Sequence, residues 1–454
     1  MKTFIFKTIA VSILIAALGG CSSFLDVKPD EKLTVPNTLL DFLAILNGTE
    51  INLGPSEGEI MAGDYYVSDE DFQALFCESD IDTYSWKDSP FIQKCDGDDG
   101  WTQNYTNIYR ANVALEGLDE FESSKGISEQ SSTIRGHALF MRAVNHFELA
   151  VIWGEPYDPV DAENRLGIPL KTIADFNEKS IRSNLAYTFA QILKDLEMAA
   201  ELLPLQRQTN RWPGKYAAWG YLARVYLYMQ DFEKAMFYAE QCLSGGHHAL
   251  INFNTIDVSA NYPFNLNSNT EFFVARNLTT AYYSLNINVR KIDTDLYNSY
   301  IQDDLRKLAF FRINTDGSIR FKGGQSGSGS LFSGPTLGEM YLIAAETHAR
   351  NKNYGKARMY LNDLLKNRMK SDYILPHIAD EEILDEILLE RRKELVMRGI
   401  RFGDIKRLNE LGANIGLKRI IMGEEHILPP NDPRFNLLIP ESVIRISGLV
   451  QNKR

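Results

Sequence analysis

The stretch that decides the fold reads KYAAWGYLARVYLYMQDFEKAMFYAEQCL and spans residues 215–243. Large apolar side chains, among them Trp219 and Leu222, recur in its first half at steps of three and four residues. Small side chains such as Ala235 take the same spacing in its second half. Such steps line one face of a helix. The stretch therefore predicts two antiparallel helices that approach closely across a turn at residues 229–232.

Residues 339–365 repeat this arrangement. Aligning Asn353 with Asp231 places Ala357 opposite Ala235, so the two hairpins share their spacing as well as their composition. A repeat of about 34 residues with this pattern is typical of tetratricopeptide hairpins, which need neighbours to cover their apolar faces. One ordinary hairpin within another α-helical protein is the alternative. The sequence predicts hairpins around residues 101–153, 185–243, 339–365 and 381–411, with loop-rich segments at 47–100 and 246–335.

The amino terminus has the pattern of an export signal. Lysines precede an apolar run at residues 9–18, and Gly-Gly-Cys21 follows it. The run is too short to span a bilayer, so residues 1–20 are predicted to be a removed signal peptide. Small residues before Cys21 resemble a bacterial lipobox, which predicts a diacylated Cys21 and a lipidated tether at residues 21–40. An ordinary secretory signal with a chance cysteine is the alternative.

Bulk composition narrows the class of partner. The chain of 454 residues carries a formal net charge of −12, which argues against a nucleic-acid partner. Its content of 44% hydrophobic residues is typical of a globular protein. Cys242 is predicted to be a buried thiol. Cys77 and Cys95 flank an irregular segment in an exported chain, and the sequence leaves open whether they form a disulfide.

Six stretches together resemble the SusD/RagB family of surface glycan- or peptide-binding lipoproteins. The six stretches occur in the same order as in the family, and the one that contains ERRKELVMRGIRFGDIKRL (390–408) is the most specific. They are CSSFLDVKP (21–29), TIRGHALFMRAVNHFELAVIWG (133–154), the hairpin at 215–243, DLY (295–297) with DLR (304–306), ILLERRKELVMRGIRFGDIKRL (387–408), and LIP (438–440) with QN (451–452).

This resemblance implies a mostly α fold, in which four tetratricopeptide-like hairpins support a loop-rich ligand-binding subdomain. It also implies a lipid anchor in the outer membrane, with the protein facing the cell exterior. The implied partner is a TonB-dependent outer-membrane barrel of the SusC/RagA type, over which the protein lies as a lid. In the family the charged cluster around Glu390 and Glu394 is structural. Its ligand contacts lie in variable loops, so the resemblance transfers no ligand residue.

Candidate ligand residues therefore come from composition. Residues 65–109 contain 10 aromatic residues in 45 positions. Aromatic planes beside carboxylates and amides suit the C–H faces and hydroxyls of sugars. The alternative is that these aromatic side chains form a small core beneath a long loop. The predicted candidates are Tyr65, Tyr66, Tyr84 and Trp86, with Asp64 and Asp82 as hydrogen-bond acceptors, and Trp101, Tyr282 and Tyr283 in second place.

Enzymatic and metal-binding signals are weak. The chain has no P-loop or H-E-x-x-H motif. Its seven histidines are scattered, and residues 96–100 fail the EF-hand spacing, so no metal site or cofactor is predicted. The leading hypothesis is a non-catalytic, surface glycan-binding lipoprotein that delivers oligosaccharide to its barrel partner. A peptide-binding, RagB-like protein and a surface glycoside hydrolase are the alternatives.

Overall fold

A computed structural model describes residues 36–48, 50–87, 99–279 and 281–454. The predicted signal peptide at 1–20, Cys21, most of the tether and Cys95 lie outside the described residues. Cys242 is buried and free, as predicted. Cys77 is disulfide-bonded. Because Cys95 is outside the described residues, its pairing with Cys77 stays a prediction.

The described residues form a mostly helical protein with few and short strands. The helices are α1 (Leu39–Leu46), α2 (Glu57–Met61), α3 (Asp69–Gln73), α4 (Glu78–Tyr84), α5 (Gly100–Lys125), α6 (Glu129–Trp153), α7 (Leu185–Leu202), α8 (Lys215–Tyr228), α9 (Phe232–Ser244), α10 (Thr294–Ser299), α11 (Arg306–Phe310), α12 (Leu337–Arg350), α13 (Tyr354–Leu365), α14 (Ile383–Glu394), α15 (Arg401–Glu410) and α16 (Glu441–Ser447). The strands are β1 (Leu53–Gly54), β2 (Tyr65–Tyr66), β3 (Leu166–Pro169), β4 (Arg182–Asn184), β5 (Asn277–Leu278), β6 (Lys291–Ile292), β7 (Phe311–Ile313), β8 (Ile319–Phe321), β9 (Leu417–Ile421) and β10 (Glu424–Leu428).

The strands pair into five two-stranded sheets. Strand β1 pairs with β5 in parallel, and this pair joins the two predicted loop-rich segments. Strand β2 pairs with β6 in antiparallel register and joins the same two segments. The hairpins β3–β4, β7–β8 and β9–β10 are antiparallel. Segments far apart in sequence therefore meet in one loop-rich subdomain.

The central hairpin forms as predicted. Helices α8 and α9 pack against each other, and residues 229–231 connect them. Gln230 in that turn has a φ of 65°, and the side chain of Asp231 accepts a hydrogen bond from the backbone N–H of Lys234 at 3.1 Å. This bond satisfies one of the free amides at the start of α9. Ala235 and Ala239 are fully buried, which lets the two helices approach closely.

The helices form a continuous stack that buries the main core. Each of α5 to α9 packs against the next, α9 packs against α12, and α12 packs against α13. Helix α1 packs across α5, where the ring of Phe42 lies over Gly117. A Cβ at Gly117 would lie 2.2 Å from a ring atom of Phe42. Small residues therefore set the spacing at this contact as well. No helix in the described ranges has the length and apolarity to cross a membrane.

The prediction that residues 381–411 form a helical hairpin is wrong, because the two helices pack on different partners. Both helices exist, but α14 packs mainly against α12 and α13, whereas α15 packs against α2, α6 and α8. The left-handed Gly399, with a φ of 71°, separates the helices and redirects the chain. Its backbone N–H donates to the carboxylate of Glu59 at 2.6 Å. Attachment to α2 takes the place of a hairpin contact.

Buried ion pairs hold the segments of the charged motifs together, as the structural interpretation predicted. Arg306 is fully buried and pairs with Asp304 at 2.7 Å, Glu390 at 2.5 Å and Glu394 at 3.3 Å. Arg368 joins this cluster through Glu394 at 2.8 Å. These ion pairs fix α14 against the start of α11, the loop that precedes it and the loop that follows α13. The cluster has no opening that would suit a substrate, since all five side chains are buried.

The loop-rich segments have a hydrophobic core of their own. It combines side chains of residues 60–84, 253–331 and 396–421, among them Tyr65, Tyr84 and Leu296. The segment at 47–100 also contains three short helices, α2 to α4, which weak periodicity did not reveal. Short helices of this kind depend on tertiary packing more than on local propensity. The subdomain is thus a packed body that can hold surface side chains in fixed positions.

Candidate functional site

Three of the four main predicted aromatic residues, Tyr65, Tyr84 and Trp86, form a buried cage. The guanidinium of Arg419 lies 4.0 Å from the ring centroid of Tyr84, 4.4 Å from that of Trp86 and 5.8 Å from that of Tyr65. All four side chains are buried. A cation over desolvated aromatic faces is stabilised by the ring quadrupoles. The rings therefore enclose an arginine of the protein's own chain.

Hydrogen bonds complete this cage. Arg419 donates to the backbone carbonyl of Ile60 at 2.6 Å and to that of Tyr84. The indole N–H of Trp86 donates to the carbonyl of Met61 at 3.3 Å. The prediction that Tyr65, Tyr84 and Trp86 present exposed planes to a ligand is wrong. Arg419 on β9 takes the position in which the sequence interpretation placed a sugar.

The predicted acceptors and the second-line tryptophan are also buried. Asp64 accepts from Arg392 at 2.9 Å, and Asp82 pairs with Lys87 at 2.8 Å. Trp101 packs edge-on against Trp153, with ring centroids 5.4 Å apart. All three predicted residues have less than a tenth of their surface exposed. Their prediction as exposed ligand contacts is wrong, because ion pairs and ring packing already occupy them.

Two predicted tyrosines remain at the surface. Tyr66 is 39% exposed and lies on β2. Tyr283 is 38% exposed and begins a short 3-10 turn at residues 283–285. Tyr283 lines a surface depression whose described lining does not include Tyr66. Binding by either residue stays a prediction.

Three exposed rings border this depression, which has a volume of about 470 Å³. Phe76 is 68% exposed and Tyr262 is 49% exposed, and both line it together with Tyr283. The ring centroids of Phe76 and Tyr283 lie 5.9 Å apart at an angle of 51°. We call this depression the aromatic depression; its other lining residues are Ala281, Tyr282, Leu285, Asn286, Ile287, Arg290, Gly329 and Ser330.

Buried polar groups hold the turn that carries Tyr283. The hydroxyl of Tyr282 donates to Glu57 at 3.0 Å, and the backbone N–H of Ser284 donates to Asp80 at 2.8 Å. Burial raises the pKa of Glu57 to about 7 and also raises the pKa of Asp80. These bonds attach the turn to α2 and α4 on both sides of Tyr283. The ring is thus positioned in advance of any ligand.

The chemistry of the lining is aromatic and amide-like. Asn286 offers a side-chain amide, Ser330 a hydroxyl and Arg290 a guanidinium. No carboxylate occurs among the described residues of the lining. Across the described ranges, no group of three or more His, Cys, Asp or Glu side chains is placed to hold a metal ion. The depression is equipped to bind through ring faces and polar groups.

Sequence reasoning missed Phe76 and Tyr262. Phe76 lay within the aromatic-rich window, but it follows the uninformative stretch QAL and precedes the bonded Cys77. Tyr262 lay in a segment predicted to be loop. The sequence around Tyr262 is rich in Asn, includes a Pro and has no periodicity. Such stretches usually run over the protein surface, so this composition could have indicated that Tyr262 is exposed.

Two protein-family models match this chain. Residues 23–227 match a family described as starch-binding and associating with the outer membrane, and residues 326–425 match the SusD family. One match lies in each half of the chain. The chain belongs to the SusD/RagB family.

Relatives of this SusD-like chain are distant. It is 24% identical to SusD-like protein P38 of Formosa agariphila over 251 residues, which are 51% of this chain and 44% of that protein. It is 30% identical to SusD-like protein P2 of the same organism over 138 residues, which are 30% of this chain and 25% of that protein. Each match therefore spans less than half of the relative.

Solved structures share the fold across the whole SusD-like body. A SusD superfamily protein from Bacteroides thetaiotaomicron has a TM-score of 0.74 at 22% identity, over 92% of this chain and all of that one. A SusD-like carbohydrate binding protein from Bacteroides vulgatus has a TM-score of 0.67 at 20% identity, over 91% of this chain and 97% of that one. At such identities the likeness shows the fold alone.

Proposed function

We propose that this SusD-like chain binds an oligosaccharide in the aromatic depression and does no chemistry on it. The observation that carries this proposal is the grouping of three exposed rings, Phe76, Tyr262 and Tyr283, around one depression. Exposed rings cost free energy in water, and sugar C–H faces cover them while the polar edges stay available for hydroxyls. A family that includes described starch- and carbohydrate-binding proteins supports the choice of sugar over other ligands.

The lining argues against the hydrolase alternative. Glycoside hydrolysis generally needs two carboxyl groups placed on either side of the scissile bond. The described lining of the aromatic depression contains none, and the nearby carboxylates of Glu57 and Asp80 accept hydrogen bonds from the protein itself. Binding without turnover is therefore the function that this geometry supports best.

The same proposal includes location and delivery. We place the protein on the outer membrane, held by a lipid on Cys21 and facing the cell exterior. There it passes its ligand to a TonB-dependent barrel of the SusC/RagA type. The outer-membrane association in the family description supports this placement. A mass spectrum of the mature amino terminus and co-purification of the barrel from detergent extracts would test the anchor and the partner separately.

Titration calorimetry against a glycan panel and a peptide pool tests the ligand class. We expect glycan binding in the micromolar to millimolar range, and a loss of roughly tenfold in affinity for Tyr262→Ala or Tyr283→Ala, as for a central aromatic contact. Tyr187→Ala is the matched control, since Tyr187 is 61% exposed and lies outside the depression.

Three results would contradict the proposal in different ways. Peptide binding without a glycan signal favours the RagB-like alternative. Release of reducing ends from a bound glycan favours the hydrolase. Equal affinities for wild type, the two depression variants and the Tyr187→Ala control would show that sugar binds elsewhere on the molecule.

A further inference from the structure

Arg290 is the one charged residue in the described lining of the aromatic depression. Its side chain is almost fully buried, with 3% of the residue exposed. It follows the 3-10 turn that carries Tyr283 and directly precedes β6. A chain with a net charge of −12 thus places a cation, and no carboxylate, in the described lining of this depression.

The hydrogen bonds of Arg290 leave most of its donors unused. An arginine side chain has five N–H donors. One Nη donates to the carbonyl of Leu285 and the other to the carbonyl of Gly329 at 3.2 Å. The buried Nε has no hydrogen-bond partner among the described residues. Two backbone carbonyls therefore orient the guanidinium without neutralising it.

No carboxylate in the described part of the chain forms an ion pair with Arg290. Glu59 attracts it electrostatically without forming an ion pair, and burial together with the charge of Asp64 raises the pKa of Glu59 to about 8. The charge of Arg320 repels that of Arg290. Burial lowers the pKa of Arg290 to about 10, so it keeps its charge at neutral pH. By contrast, the fully buried Arg306 and Arg368 each pair with at least two carboxylates. Arg398 and Arg419 are also buried without an ion pair among the described residues, but neither lines the aromatic depression.

A buried charge without a counter-charge is costly, and the cost is relieved when an anion arrives. The guanidinium fork matches the two oxygens of a carboxylate or a sulfate group, with charge-assisted hydrogen bonds. From this we infer that the glycan bound in the aromatic depression is acidic, with a uronate carboxylate or a sulfate ester placed against Arg290. This inference rests on the proposed function and names the class of its ligand.

Matched pairs of glycans test the inference on the unaltered protein. The panel contains oligomers of galacturonate, mannuronate–guluronate and glucuronate with their carboxyl-reduced forms, and sulfated galactan oligomers with their desulfated forms. We expect the wild type to bind at least one acidic member about ten- to a hundredfold more tightly than its neutral counterpart, as for a hydrogen-bonded charge. The carboxylate and sulfate arms tell the two sources of negative charge apart.

Variants then assign the preference to one side chain. Arg290→Gln is expected to abolish the preference for the acidic member, whereas Arg290→Lys keeps the charge without the fork and retains part of it. Arg312→Gln is the control, because Arg312 is an exposed arginine on β7 outside the depression. Melting curves identify any variant that fails to fold, and the wild-type comparison still decides the inference in that case.

The possible failures are distinguishable. Neutral members that bind as well as or better than acidic ones overturn the acidic class and leave the glycan proposal intact. An acidic preference that survives Arg290→Gln overturns the role of Arg290. Absence of binding to every glycan, acidic or neutral, overturns the proposed function itself.

Discussion

Replacing Arg306 by Met tests whether the buried ion cluster supports the loop-rich subdomain. The guanidinium donates to Asp304 at 2.7 Å and to Glu390 at 2.5 Å, and it lies 3.3 Å from Glu394. Methionine fills a similar volume but offers no donor. Three buried carboxylates would then lose a shared counter-charge, although Lys393 still contacts Asp304 and Glu390, and Arg368 still contacts Glu394.

The expected loss in the free energy of unfolding follows from this burial. Breaking a buried pair by removing one partner costs about 3–5 kcal/mol, because it leaves an uncompensated charge. The matched control is Arg110→Met, which removes a surface pair with Glu50 at 3.4 Å and is expected to cost about 1 kcal/mol or less. Urea denaturation monitored by fluorescence and circular dichroism compares the two variants with the wild type.

The difference between wild type and Arg306→Met should depend on pH. Burial alone would raise the pKa of Asp304, but the charge of Arg306 outweighs it and holds the pKa below its ordinary value of 3.8. The pKa of Glu394 is likewise below 4.5, because Arg368 and Arg306 outweigh its burial. Groups with lowered pKa stabilise the fold above their unfolded values and lose this contribution as the pH falls.

The variant lacks part of that contribution, so its deficit should be largest above pH 4.5 and shrink as the pH falls below 3.8. A deficit no larger than that of Arg110→Met would refute the claim that the cluster is structural. A large deficit that does not change on acidification would mean that lost packing, and not lost charge pairing, causes it.

Two further changes separate stability from binding and test helix spacing. Trp86→Ala should cost about 3–5 kcal/mol by opening the cage around Arg419, while glycan affinity by calorimetry stays within about twofold of wild type; a selective loss of affinity would restore Trp86 as a ligand contact. Gly117→Ala should lower the free energy of unfolding, because its Cβ would lie 2.2 Å from a ring atom of Phe42. Gly355→Ala has open space around its Cβ and should raise the free energy of unfolding by up to about 1 kcal/mol. Equal shifts for the two glycine variants would contradict the spacing argument.

Local periodicity predicted the helical half of the fold well. Hairpin α8–α9 and its repeat α12–α13 begin and end within about two residues of the predicted bounds, because each buries one continuous apolar face. The packing of α14 and α15 on different partners could not be predicted in this way. It depends on Gly399 and its bond to Glu59, which lies 340 residues away in the sequence.

The candidate site shows where sequence composition stops being informative. Tyr84 and Trp86 lie in an acidic, irregular segment whose composition is typical of a protein surface. Both side chains are nevertheless buried against Arg419, which is 335 residues from Tyr84 in the sequence. Nothing near either end of that contact reveals it. Tyr262 and Phe76 are 49% and 68% exposed, since the side chains of the described residues that lie near them leave much of each ring uncovered. Exposure is a property of long-range partners, which periodicity and composition do not contain.

The ion cluster around Arg306 also constrains the order of folding. Arg368 meets Glu271 across 97 residues of chain, and Arg306 meets Glu394 across 88. Contacts this remote in sequence form late, because the entropy of closing the intervening loops is lost first. An incomplete chain that ended before Glu390 would hold two arginines with half their counter-charges missing. The packing of α11 and α14 around these arginines is thus expected to form during synthesis only after α14 has emerged.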